Sequence, residues 1–163
     1  MNHYYLRIIK IVVWIPVLVT GILITGFSSQ NGSESSGLSK KAANAVIQVF
    51  DTVNVVSFTD ENQREELIKK MQYPIRKGAH MTEYAAFTVF TYIALMVNGI
   101  PAEKRKYAAF IIAFLLACSD ELHQRFVPGR SGRVTDVLID SAGCIIALLI
   151  IEVIRRIYKK HIA

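Results

Sequence analysis

The sequence predicts an all-α, polytopic membrane protein with four transmembrane helices, and three observations lead there. Hydrophobic residues make up 52% of the 163, and mean hydropathy is +0.34, above that of an ordinary soluble domain. The excess is gathered in blocks of span length rather than in alternating strands. Basic residues flank those blocks, where lipid headgroups and membrane orientation account for them. The net charge of +6 therefore needs no nucleic acid, and no basic patch carries the interleaved aromatics that stack bases. Residues 1–163 read as one domain, with spans near 6–27, 78–98, 107–122 and 134–154.

The first span, Leu6–Phe27, carries Arg7 and Lys10 at its start and is kinked or broken at Pro16. It is too long for a signal-peptide core and no A-x-A site follows, so it reads as an uncleaved anchor. Gln30 closes it, ahead of a serine-rich linker with Gly32 and Gly37. Ser39–Phe50 gathers Ala43, Ile47 and Phe50 on one helical face. Thr59-Asp60 starts a second amphipathic helix, with Gln63 completing a capping box, and Tyr73-Pro74 ends it. Both are too polar to span and are expected to lie on the membrane surface or over the bundle.

The second span, Gly78–Asn98, opens on His80, Glu83 and Tyr84, which share neighbouring helix surface. Pro101 and the run Lys104–Lys106 form a short turn that marks orientation. The third span is short, because Asp120, Glu121, His123 and Gln124 follow the apolar run Tyr107–Cys118. Pro128-Gly129 marks a turn in the return loop, which crowds Arg125, Arg130 and Arg133. Asp136 and Asp140 share one face at the start of the last span, and Gly143 continues that face, where a neighbouring helix can approach closely. Cys118 and Cys144 form no metal-binding pattern and are expected to be buried free thiols.

Short, dense basic segments beside the spans put both termini in the cytoplasm. Alternation of four spans then brings Gln30, His80, Glu83, Asp120, Glu121, His123, Asp136 and Asp140 to one external membrane face. Carboxylates and histidines pressed against lipid-length segments cost free energy, so this convergence is the candidate functional site. Three chemistries fit the residue types. A divalent metal could take nitrogen and oxygen ligands there, although no fixed ligand spacing such as H-E-x-x-H appears. Metal-free acid–base work on a lipid-linked phosphate would use Arg130, Arg125, Arg133, Arg76 and Lys77 to hold the anion and His80 or His123 to move a proton. Without chemistry, the same groups would lock the bundle or bind a lipid headgroup or an amphipathic antibiotic.

R-K-x-x-H-x-x-E-Y around His80, S-D-E-x-H-Q-x-F-x-P-G-R around Glu121, and D-x-x-x-D-x-x-G from Asp136 to Gly143 resemble the VanZ-like family of small integral membrane proteins. W-I-P ahead of F-S-S-Q in the first span fits the same family, so the resemblance runs from Trp14 to Ala147. The S-D-E-x-H-Q block is its specific part. The family takes its name from a protein that confers low-level teicoplanin resistance. What the resemblance implies is an envelope protein at the outer leaflet, with membrane lipid, a cell-wall precursor lipid or a glycopeptide antibiotic as partner. It marks His80, Glu83, Asp120, Glu121, His123 and Asp136 as reactive or orienting groups. Lys77, Tyr84, Gln124, Arg130 and Asp140 become ligand contacts. Asp140 departs from the asparagine common in relatives, and Ala147 from a common glycine.

Overall fold

Pro16 decides the shape of the first helix. Proline lacks the N–H and its ring clashes with the preceding turn. The rod is accordingly broken into α1 (His3–Val12) and α2 (Ile15–Ser28). Trp14 N bonds Ile11 O at 3.0 Å across the break, and Leu18 N to Trp14 O at 2.9 Å resumes the helical pattern. The computed structural model describes residues 3–58 and 60–162; Thr59, part of the expected second-helix start, lies outside them. Helix makes up 84%, and no strand occurs among the described residues.

The serine-rich stretch is helical, not a linker. Asn31 Oδ1 accepts from Glu34 N at 2.9 Å, and Glu34 Oε2 accepts from Asn31 N at 3.1 Å. This reciprocal cap satisfies two orphan N–H groups and starts α3 at Gly32, so that it runs Gly32–Thr52 rather than from Ser39. Asn54 then turns the chain with φ 57°. Asp60 caps α4 (Glu61–Val97) by accepting from Gln63 N at 2.8 Å.

The expected stop at Tyr73-Pro74 does not occur. The 37 residues of α4 pass straight through Pro74, a length of about 55 Å at helical rise. Tertiary packing supplies the reason. Met71 and Ile75, on either side of Pro74, pack with Leu67 and Ile68 against Ala43 and Ile47 of α3. That contact stabilises the helix on both sides of the missing backbone bond. The two expected surface helices are thus one hairpin, α3 folded along the first half of α4. His80 and Glu83 sit in the middle of a helix instead of its first turns.

Two more helices, α5 (Ala102–Gln124) and α6 (Val134–Ile162), complete a bundle with α2 and α4. Ala109, Ala113 and Ala117 recur on the buried face of α5, and small side chains of this kind let helices approach closely. At Gly143 a Cβ would strike the Met81 backbone of α4, so only glycine permits this α4–α6 spacing. Cys118 and Cys144 are free thiols; Cys144 is buried and Cys118 half-buried.

The bundle buries carboxylates among its apolar core and exposes large apolar side chains on its outside. Asp140 is 3% exposed while Leu138, on the outer face of the same helix, is 63% exposed. Asp120, Glu121 and Gln124 are buried, and Ile22, Ile111, Leu115 and Leu149 face outward. Water would select the reverse arrangement. Two stretches, His3–Ser28 and Val134–His161, are long and apolar enough to cross a membrane.

Candidate functional site

The return loop between α5 and α6 is fastened at one end of the bundle. Gly129, at φ 73°, lets the loop turn back on itself. Gly32 N donates to Pro128 O at 3.1 Å, and a Cβ on Gly32 would strike Gly129, so the start of α3 lies directly on the loop. Gly132 packs as tightly against the backbone of Glu121. Arg130 Nε donates to Gln30 O and its Nη2 to Phe27 O, both at 3.1 Å. This guanidinium caps the C-terminal carbonyls of α2 and ties the loop to them.

Beneath the loop the buried ends of α4, α5 and α6 meet. Lys77 Nζ lies 2.5 Å from Asp136 Oδ2, joining α4 to α6, with both side chains largely buried. Lys77 also sits over the Tyr73 ring at 5.4 Å. Glu121 Oε2 accepts from Arg133 N at 2.9 Å, which fixes the entry to α6. Gln124 Nε2 donates to Asp120 Oδ2 at 3.1 Å and to Glu121 Oε1 at 3.3 Å. His80 Nδ1 is 3.5 Å from Glu83 Oε2, an ion-pair approach too long for a good hydrogen bond. His123 is exposed and meets Ser29 Oγ at 3.3 Å through Nε2.

Several polar atoms there are buried without a hydrogen bond of good geometry: Glu83 Oε2, Tyr84 Oη, and Ser28 Oγ and Asp120 Oδ1, whose side chains lie near each other. Such atoms are costly unless water or a ligand reaches them. Asp140 is buried near His80, Asp120 and Glu121. No three His, Cys, Asp or Glu side chains among the described residues converge as a metal site requires.

The cations at this end are differently placed. Arg76, Arg125, Arg130 and Arg133 have no carboxylate within ion-pair distance among the described residues. Burial and then the neighbouring Arg76 hold the Arg130 guanidinium below its usual pKa, so two like charges face each other in partial burial. They rim a cleft of about 220 Å³ lined by Arg76, Lys77, His80, Glu121, Arg130 and Asp136. Such an arrangement favours an anion, which guanidinium groups bind through charge-assisted hydrogen bonds.

A family model, VanZ/LLP1, matches residues 13–155. The chain belongs to the VanZ/LLP1 family. No curated protein and no solved structure matches it. In this VanZ/LLP1 protein the residues singled out by sequence fall into three groups. Lys77, His80, Glu121 and Gln124 line the cleft, with Arg130 and Asp136. Glu83 lies beside His80, while Asp120, Tyr84 and Asp140 are buried in the bundle outside the cleft lining. His123 stands apart, outside the cleft lining and turned to Ser29. Ser28 and Gly132 were not singled out. Gly132 had a readable signal in the R-S-G-R turn, whereas Ser28 becomes notable only once its hydroxyl is buried.

Proposed function

We propose that this VanZ/LLP1 protein is a four-span envelope protein that binds an anionic lipid or cell-wall-precursor headgroup at the outer leaflet, and lowers teicoplanin susceptibility by doing so. The observation that carries this reading is the unpaired Arg76–Arg130 rim of the cleft, with buried polar groups nearby. Outward-facing leucine and isoleucine on α2, α5 and α6, with Ile93 and Met96 on α4, support four spans, and Asp120, Glu121, Asp136 and Asp140 are turned into the bundle. The dense basic segments around Lys104–Lys106 and Arg155–Lys160 support cytoplasmic termini and an external cleft.

A second reading has its own observation. His80 lines the cleft with Glu83 beside it at 3.5 Å, from which a small closing movement would let the carboxylate orient the imidazole. The protein would then be a hydrolase or transferase on a lipid-linked phosphate, with His80 moving the proton and Arg76 and Arg130 holding the anion.

The test is teicoplanin susceptibility of a sensitive Gram-positive host carrying the wild-type chain or Glu121→Gln, at matched membrane levels, with vancomycin as control. Protection by the wild type alone supports an envelope role for the cleft. Equal protection by both makes Glu121 a structural residue, and protection by neither removes the resistance reading. Product formed from a lipid-linked phosphate by the wild type, but not by a folded His80→Gln variant, selects the enzyme.

A further inference from the structure

A second hollow adjoins the cleft on the side of α2. Arg76, His80 and Arg130 also border this hollow of about 180 Å³, whose remaining wall mixes apolar Phe27, Leu38, Ala42, Ile75 and Ala79 with polar Gln30, Ser35, Ser39 and Glu83. Phe27, Ala79 and Glu83 are shared in turn with a groove of about 470 Å³ between α2 and α4. Leu23 and Ile24 form one side of that groove, and Gly78, Thr82 and Ala86 the other. From Ala79 to Ala86 it follows α4 for about 10 Å. The three spaces adjoin one another through shared wall residues, from a cationic cleft to a mostly apolar groove.

We propose that these adjoining spaces hold a whole anionic lipid, with its phosphate between Arg76 and Arg130 and one hydrocarbon chain in the α2–α4 groove. The inference rests on the headgroup reading above. Charge and adjacency choose the occupant. A soluble anion would fill the cleft and leave the groove empty, while a neutral lipid would fill the groove and leave Arg76 and Arg130 without a counter-charge. Glu121 and Asp136 border the cleft, but Asp136 is held by Lys77 and Glu121 by Arg133 N and Gln124. Glu83, at the seam between headgroup and chain, lies against His80. The groove wall on α4 is small: glycine, alanine and threonine leave room that a leucine would take. Side chains of this size more often serve close helix packing, yet Ala79 and Thr82 are exposed.

The experiment uses the full chain in nanodiscs. Native mass spectrometry compares retention of phosphatidic acid with that of phosphatidylcholine carrying the same chains. Glycerol 3-phosphate, which has no tail, is followed by thermal shift. Wild type retains phosphatidic acid at least tenfold over phosphatidylcholine. Ala79→Phe, which fills the groove at an exposed position, lowers that retention about tenfold and leaves glycerol 3-phosphate unaffected. Should Ala79→Phe not fold, Thr82→Phe asks the same question one turn on. Arg76→Gln loses both ligands. Unchanged lipid retention in a folded groove variant overturns the chain site while the headgroup reading stands. Failure of wild type to take up either phosphate overturns the headgroup reading and this inference together.

Discussion

The two ends of the bundle treat charge in opposite ways. At one end Glu152 is met by Lys106 at 3.5 Å, Arg155 at 3.0 Å and Arg156 at 2.9 Å. Beside it Arg105 donates to Ile100 O and lies over the Tyr92 ring at 5.0 Å. At the other end Arg76 and Arg130 face each other without a carboxylate, near buried oxygens without a hydrogen bond of good geometry. The first end fastens α5 to α6 and is complete in itself. The second is incomplete, and an incomplete polar site in a packed bundle is where a ligand fits.

One pair breaks that division: Lys77–Asp136 is a closed contact within the open end. Lys77→Met leaves Asp136 buried and uncompensated, which costs about 3–5 kcal/mol. Thermal unfolding in micelles should show the largest fall of any substitution considered, and the double variant Lys77→Met/Asp136→Leu should regain most of it. A neutral single variant would mean the pair does not hold α4 to α6. Gly143→Val attacks the same junction sterically, since the added carbon meets the Met81 backbone. Overpacking of this kind costs about 1–3 kcal/mol, and the melting temperature should fall by less than in Lys77→Met.

Labelling sharpens the comparison without disturbing the fold. In a cysteine-free background, Ser33→Cys beside the open end should react with an impermeant maleimide on intact cells. Ala102→Cys, at the closed end, should react only after permeabilisation. The reverse pattern would place the cleft in the cytoplasm.

Much of the open end was legible before the structure. The motif around His80, the S-D-E-x-H-Q block and the pair Asp136–Asp140 carry charge where apolar residues are expected, so their convergence follows from helix alternation. The break at Pro16 and the turn at Pro128-Gly129 were legible because their causes are local. Pro74 was misread for the same reason. The local rule ends the helix, but Met71 and Ile75 packing on α3 overrule it, and that packing depends on residues far along the chain. The α3 start was missed although N-x-x-E at Asn31–Glu34 is a cap signature; the serines around it suggested a linker. The double duty of Arg130 was not readable at all. Its bonds to Gln30 O and Phe27 O link residues that only the folded loop brings together.

The most direct measurement of the difference between the two ends is the unfolding temperature of wild type, Arg76→Gln and Glu152→Gln, each with and without phosphatidic acid. Arg76→Gln should unfold no lower than wild type, because it removes a repulsion and no partner, and phosphatidic acid should no longer raise its midpoint. Glu152→Gln should unfold lower, because three cations lose their shared partner, and should still be stabilised by the lipid. An Arg76→Gln protein that melts below Glu152→Gln and keeps its response to phosphatidic acid would contradict the account.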